Sequence, residues 1–239
     1  MKKIYNKILV LLTVTVLVLS VVSAEALSKD NKVKEPLDKI TFIHYKDGTV
    51  KEIGANKAIA SGGKCYKLLG VKWSSLPVDY VINPADSEMS EIDVVSAISA
   101  ATNSWDEETS RSLFGSSLLD TSAVWGAADG KNAYVFGFYD NANVIAVTNI
   151  WYMTYSRQIV DYDVLFNTQF TWGNAAINPL VMDLQNIATH ETGHGLGLAD
   201  IYQNGCSAVT MFGYSGYGDI IKSSLEQPDI NGLRKIYGI

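Results

Sequence analysis

The chain has 239 residues, of which 47% are hydrophobic, and its formal net charge is −6. A chain of this length and composition can bury one substantial core, so we expect a single monomeric domain after processing. The sequence has no basic patch and no run of arginines, so we expect neither nucleic acid nor a membrane as a partner of the mature protein.

Residues 1–24 have the pattern of a secretory signal peptide. Three lysines precede an apolar stretch at 8–22, and Val22-Ser23-Ala24 matches a small-residue cleavage site, with Ala24-Glu25-Ala26 as the alternative. The alternative is an uncleaved membrane anchor. The apolar stretch has about 15 residues, fewer than the roughly 20 that span a bilayer. We therefore expect cleavage and a secreted, extracellular protein.

Residues 25–63 predict a propeptide or an N-terminal extension that stays attached, and the sequence does not choose between them. Within this segment, residues 41–45 and 49–53 flank Asp47-Gly48, a turn signal typical of a hairpin. His44 matches no metal-ligand pattern, and we expect it at the surface. The glycines at 62 and 63 are typical of a linker, so we expect the main folded domain to span 64–239.

The remaining sequence predicts an α+β domain with one twisted mixed sheet. Hydrophobic periodicity predicts a strand at 78–83 and then a helix with Val94, Ile98, Ala101 and Trp105 on one face. Further strands are predicted at 133–139, 144–151 and 159–167, and further helices at 182–196 and 228–238.

Residues 190–200 read His-Glu-Thr-Gly-His-Gly-Leu-Gly-Leu-Ala-Asp and carry the clearest chemical signal. Positions four apart share one face of a helix, so His190 and His194 can point both imidazoles at one metal ion. Glu191 is then placed to act on water as a general base without being a ligand. This is the pattern of a zinc hydrolase.

The residues alone leave several alternatives for the third metal ligand. Gly197 can end the helix in a left-handed conformation and turn Asp200 back toward the histidines. Asp200 could instead cap a turn or accept a hydrogen bond from a ligand histidine. A different architecture would use the distant Glu226 as the third ligand.

The same stretch, followed by Met211 in Val209-Thr210-Met211-Phe212-Gly213-Tyr214, resembles the metzincin metalloproteases. Their signature is His-Glu-x-x-His-x-x-Gly-x-x-His with a methionine-containing turn, and aspartate here replaces the third histidine. The C-terminal residues 225–238 are similar to the closing helix of matrixins. The resemblance to a matrixin-like protease extends from Trp73 to Gly238.

The resemblance implies a zincin-like fold, in which the sheet packs on the active-site helix and a small C-terminal subdomain ends in a helix. It implies one catalytic zinc ion, with Met211 as an apolar floor beneath the ligands. It also implies that residues 144–148 form the sheet edge that binds a peptide or protein substrate by strand addition. The aromatic residues near Met211 are candidates for the substrate pocket: Phe212, Tyr214 and Tyr217.

The two cysteines, Cys65 and Cys206, predict a disulfide, since an even count is typical of exported proteins. The alternative, by the resemblance, is that Cys65 binds zinc in a latent form, but the residues around it do not match that propeptide motif.

The segments Asp129-Gly130-Lys131-Asn132 and Asp140-Asn141-Ala142-Asn143 are candidate calcium loops by resemblance, although such clusters are often plain turns.

Together these features predict a secreted zinc endopeptidase with Glu191 as general base. The alternative is a catalytically silent, zinc-stabilised binding module. An intact Glu191 argues against this alternative, because a protein without catalysis needs no base beside the metal.

Overall fold

A mixed sheet of seven strands organises the part of the chain that the computed structural model describes, residues 35–46 and 65–239. The strands of that part are β1 (Leu37–Lys46), β2 (Val78–Asn83), β3 (Phe114–Leu119), β4 (Asn132–Gly137), β5 (Val144–Met153), β6 (Ile159–Asn167), β7 (Trp172–Gly173), β8 (Met182–Asp183) and β9 (Tyr214–Ser215). Its α-helices are α1 (Glu91–Asp106), α2 (Leu184–Gly195) and α3 (Gln227–Tyr237). Two short 3-10 helices lie at Asn204–Cys206 and Ile221–Ser223.

The strand order across the large sheet is β3-β2-β4-β6-β5-β1-β9, while β7 and β8 form a separate pair. β2, β3, β4 and β6 run parallel, and β5 runs antiparallel to β6. β1 pairs antiparallel with β5 on one side and parallel with β9 on the other. The sequence therefore correctly predicts an α+β domain with a mixed sheet.

Polar side chains cap the N-termini of the first two helices. Ser90 caps α1, because its hydroxyl oxygen accepts the backbone N–H of Asp93. Asp183 caps α2 by accepting the backbone N–H of Asn186 at 2.8 Å, and its other oxygen accepts the N–H of Ala175. The buried Asp183 thus fixes where the helix of the candidate site begins.

The main core lies between the sheet and the helices, and α2 runs through it. Trp105 joins α1 to α2, because its indole N–H donates to the carbonyl of Thr189 at 2.8 Å. Every residue of α2 from Asn186 to Gly195 is buried. A Cβ at Gly193 would overlap the Sδ of Met211, so glycine lets this helix pack closely on the chain that follows it.

The predicted elements agree closely with the structure. The strands at 78–83 and 159–167 have the predicted bounds, and Val94, Ile98 and Trp105 are buried on α1. The sequence did not predict β3 or the short strands β7, β8 and β9. Residues 1–34 and 47–64, which include the predicted signal peptide and the second arm of the predicted hairpin, lie outside the described residues.

The expectation that residues 144–148 form a sheet edge is wrong. β5 lies inside the sheet, because β1 pairs with it from Leu37 opposite Met153 to Tyr45 opposite Val144. The hydroxyl of Thr41 also donates to the side-chain oxygen of Asn149 at 2.7 Å. The sequence assigned residues 37–46 to an N-terminal extension, but they form β1, which lies in the sheet between β5 and β9.

A disulfide joins Cys65 to Cys206, as the cysteine count predicts. It links the start of the second described segment to the loop that precedes Met211, across a sequence separation of 141 residues. Since its sulfur is bonded to Cys206, Cys65 is not a free thiol in this structure.

We expect the double substitution Cys65→Ser, Cys206→Ser to lower the free energy of unfolding by about 2–4 kcal/mol, because it removes a long cross-link from the unfolded chain. Urea denaturation, followed by circular dichroism, measures this change. An unchanged midpoint and slope would contradict the prediction.

Two carboxyl groups are buried in β6. Asp163 accepts the backbone N–H of Gly126 at 2.7 Å, and Asp161 accepts that of Gly130 at 2.8 Å. Burial raises the pKa of Asp163 to about 7 and that of Asp161 to about 6. Between the ordinary pKa of 3.8 and these raised values, the two carboxyl groups therefore keep protons in the folded protein that they have released in the unfolded chain.

The free energy of unfolding should fall as pH rises from 3.8, the ordinary pKa of Asp163, to about 7 in the folded state. In Asp163→Asn this decline should be shallower, because the amide keeps an oxygen acceptor for Gly126 and does not titrate. Urea denaturation of both proteins across this pH range is the measurement. Equal declines would show that burial of Asp163 does not control the dependence.

Candidate metal and active site

Helix α2 brings the three residues of the His-Glu-x-x-His pattern into the core. His190 and Glu191 are fully buried and His194 is 1% exposed. The two imidazole rings lie edge to face, with centroids 4.8 Å apart. The helical spacing thus places both imidazoles on the same side of α2, as the sequence predicts.

A reversal at Gly197 then returns the chain to these histidines. Gly197 has φ +98°, and a Cβ there would overlap the carbonyl oxygen of Val71. The backbone N–H of Leu198 donates to the carbonyl of Gly193 and closes the turn. As a result, Oδ1 of Asp200 lies 3.1 Å from Nε2 of His190 and 3.3 Å from Nε2 of His194.

The imidazoles are oriented through their other ring nitrogens. Nδ1 of His190 lies 2.7 Å from the carbonyl oxygen of Thr210, and Nδ1 of His194 lies 2.9 Å from that of Leu198. A carbonyl oxygen only accepts, so each Nδ1 carries a proton, and in the neutral imidazole the lone pair is then on Nε2. This arrangement prepares a histidine to bind a metal.

The donor set suits a zinc ion. Nε2 of His190 and Oδ1 of Asp200 are buried with no hydrogen-bond partner, although an unpaired buried polar atom is costly. The donor atoms of His190, His194 and Asp200 lie within 4.8 Å of one another. Two imidazole nitrogens and one carboxylate oxygen are three of the four ligands that tetrahedral zinc accepts.

Burial and neighbouring charges set the protonation of this group. Burial lowers the pKa of His190 to about 4, which keeps its imidazole neutral at physiological pH. Burial opposes the charge on Asp200, but the histidines beside it hold the pKa of that carboxyl well below its ordinary value. A neutral imidazole and an ionised carboxylate are the forms that bind zinc.

Glu226, the alternative third ligand, lies at the exposed N-terminus of α3. Among the described residues, neither group that could hold a metal includes it. Asp200, by contrast, lies beside both histidines after the turn at Gly197, so its role as the third ligand stays the prediction that the geometry favours. Its second oxygen accepts the hydroxyl of Tyr202 at 3.0 Å, a contact that the sequence did not indicate.

Glu191 is held by two partners. The hydroxyl of Thr148 on β5 donates to Oε2 at 2.6 Å, and Nδ1 of His44 on β1 lies 2.8 Å from Oε1. Burial raises the pKa of Glu191 above its ordinary value. The expectation that His44 is a surface residue is wrong, because it is 1% exposed and contacts the candidate base.

Met211 packs against Gly193 of α2 and is fully buried; that it forms an apolar floor beneath the metal ligands stays a prediction. Its turn is held by Asp229 of α3, whose two oxygens accept the backbone N–H groups of Thr210 and Met211. The carbonyl of Thr210 faces His190, so Asp229 supports a candidate ligand through one residue. The sequence indicated Asp229 only as part of the closing helix.

The candidate pocket residues lie beyond this turn. Tyr214 belongs to β9 and its ring is 5.8 Å from Phe212 and 5.2 Å from Tyr202, while Tyr217 is 44% exposed. A substrate pocket formed by these residues stays a prediction. The calcium loops also stay a prediction. Within them, the side chain of Asp129 accepts the backbone N–H of Lys131, and the side chain of Asn141 accepts the backbone N–H of Asn143.

The fold and the site define a zincin-like domain with a helix-borne His-Glu-x-x-His group and a methionine turn. The model of the matrixin family matches residues 72–238, so the chain belongs to the matrixins. Matrixins are zinc-dependent endopeptidases.

Three relatives have modest identity. Human neutrophil collagenase is 29% identical over 181 residues, which cover 75% of this chain and 36% of the relative. Human matrilysin is 28% identical over 174 residues, 70% of this chain and 59% of the relative. Karilysin of Tannerella forsythia is 24% identical over 181 residues, 74% of this chain and 36% of the relative. The matched region thus spans between about a third and three fifths of these relatives.

Substituting Asp229 tests whether α3 supports the metal ligands. In Asp229→Asn the amide group faces a backbone N–H that needs an acceptor, so we expect a loss of about 1–3 kcal/mol in stability. Because Thr210 orients His190, zinc affinity should fall about 10- to 100-fold. Denaturation and competitive zinc titration measure the two effects. Lys235→Ala, at an exposed position of α3, is the control, and equal zinc affinities in the two variants would contradict the coupling.

Proposed function

We propose that this protein is a zinc-dependent endopeptidase in which His190, His194 and Asp200 hold the zinc ion. The observation that carries the proposal is that two atoms able to bind a metal, Nε2 of His190 and Oδ1 of Asp200, lie buried side by side without hydrogen-bond partners. The Nδ1 atoms of His190 and His194 are already engaged by backbone carbonyl oxygens. Membership of the matrixin family supports the same chemistry.

Zinc, when bound, polarises the peptide carbonyl and lowers the pKa of water from about 15.7 to about 7. Glu191 accepts a proton from the attacking water and delivers it to the amide nitrogen as the C–N bond breaks. A pKa raised by burial suits this role, since the group must both take up and release a proton. Thr148 holds the carboxylate in place from β5.

In protein free of residues 1–46, whose His44 engages Glu191, Glu191→Ala should reduce peptide hydrolysis by about 10²- to 10⁴-fold, the usual contribution of a general base. Zinc content should stay at one ion per chain, because Glu191 is not among the proposed ligands. Casein or peptide hydrolysis and elemental analysis measure the two quantities. The unsubstituted protein, loaded with zinc and free of residues 1–46, is the reference. If it hydrolyses no peptide, the proposal of a protease is rejected in favour of a catalytically silent binding module.

The third ligand is tested by a matched pair of substitutions. Asp200→Asn removes the anionic donor beside both histidines, so we expect zinc affinity to fall at least about tenfold. Glu226→Gln makes the same chemical change at the exposed end of α3 and should leave zinc affinity unchanged. Competitive zinc titration distinguishes them, and loss in Glu226→Gln alone would reject the assignment of Asp200.

We also propose that residues 1–24 direct export and are removed, and that peptides or proteins outside the cell are the substrates. The basic start, the apolar stretch and the small-residue cleavage site support this proposal. In the described part of the chain, no helix is long and apolar enough to cross a membrane. N-terminal sequencing of the exported protein identifies the cleavage site.

A further inference from the structure

Strand β1 lies where an extended peptide would bind beside the proposed active site. It pairs antiparallel with β5, whose Thr148 contacts Glu191, and parallel with β9, beyond the methionine turn. β1 is paired on both sides, since Tyr45 lies opposite Val144 of β5 and opposite Tyr214 of β9. An extended peptide that binds in a cleft by strand addition pairs with the protein backbone in the same way. While β1 is in place, another peptide cannot pair with β5 on this side.

Alternate side chains of β1 face the candidate ligands. The ring of Phe42 stacks on His194, with centroids 3.8 Å apart and planes inclined by 9°. Two residues on, the ring of His44 lies 4.1 Å from that of His190. Successive residues of a strand point to opposite faces, so Phe42 and His44 belong to one face and Ile43 packs on the other side of the sheet.

His44 carries a free donor atom in this position. Its Nδ1 is engaged by Glu191 at 2.8 Å, whereas its Nε2 is buried and has no hydrogen-bond partner. Donor atoms of His44, His190 and Glu191 lie within 4.8 Å of one another and could hold a metal ion. His190 belongs both to this group and to the group with His194 and Asp200, so the two groups adjoin, but among the described residues no such group contains His44 together with His194 or Asp200.

We propose that residues 37–46 occupy the peptide-binding cleft as an internal, substrate-like strand, and that His44 holds the candidate base Glu191 while they do so. This inference rests on the proposed function of the site. The strand blocks catalysis in two ways: it fills the pairing position on β5, and His44 engages the carboxylate that must accept a proton from water. Activity then requires that the strand leave the cleft.

This arrangement differs from latency through a cysteine ligand. Cys65 is bonded to Cys206, and the side chain of the strand that reaches the site is an imidazole whose Nδ1 lies 2.8 Å from Oε1 of Glu191. The strand thus engages the candidate base and leaves the candidate metal ligands unchanged.

X-ray absorption at the zinc edge tests the role of His44 in the full chain. We expect two imidazoles per zinc both in the full chain and in His44→Phe, which keeps an aromatic ring but has no hydrogen-bond donor. Three imidazoles in the full chain and two in His44→Phe would show that His44 binds the metal, and would overturn its assignment to Glu191.

A second measurement tests the blockade. A recognition sequence for a specific protease, placed between Lys46 and Cys65, allows the strand to be cut free and removed. We expect peptide hydrolysis to rise at least tenfold after removal. The synthetic peptide Glu-Pro-Leu-Asp-Lys-Ile-Thr-Phe-Ile-His-Tyr-Lys should restore inhibition, and its analogue with phenylalanine in place of histidine should inhibit at least tenfold less strongly.

The outcomes separate the two proposals. Equal hydrolysis before and after removal of the strand would overturn the blockade while leaving the protease in place. No hydrolysis in either form, with zinc bound, would overturn the proposed protease. In that case the count of imidazoles at the zinc edge still decides whether His44 is a ligand.

Discussion

The candidate site depends on the backbone reversal at Gly197. A helix supplies two donors on one face by its own geometry, but a third donor must come from chain that has left the helix. The reversal needs φ +98° where a side chain would overlap the carbonyl of Val71, so only glycine fits without strain. Three residues later, Asp200 reaches both imidazoles. The spacing from His194 to Asp200 is therefore a consequence of the turn.

The C-terminal helix takes part in the site through backbone groups. Asp229 accepts two N–H groups of the methionine turn, and the carbonyl of Thr210 in that turn accepts the Nδ1 proton of His190. All of these groups are buried, where each lost partner leaves an uncompensated polar atom. The same hydrogen bonds therefore stabilise the C-terminal subdomain and orient a ligand, so changes in α3 affect both.

The local parts of this structure could be predicted from sequence, and the non-local parts could not. The histidines, the glycine turn and most strands follow from periodicity and residue type within short windows. His44 meets Glu191 across 147 positions, and no local pattern encodes that contact. One signal was available: residues 40, 42 and 44 are Ile, Phe and His, a period-two set that gives a strand one largely apolar face. Asp229 had no such signal, because an acid in the first turn of a helix is typical of helices in general.

Burial of the catalytic group explains why the position of β1 matters. Glu191 and both histidines are removed from water in this arrangement, and desolvation opposes charge on each of them. A buried carboxylate needs partners, and here Thr148 and His44 provide them. Thr148 belongs to β5, which remains in the sheet whatever happens to β1. His44 belongs to the one strand whose departure would return Oε1 of Glu191 to water. The hydrogen bond that satisfies the carboxylate in the closed arrangement is thus the bond that must break before the carboxylate can act on water.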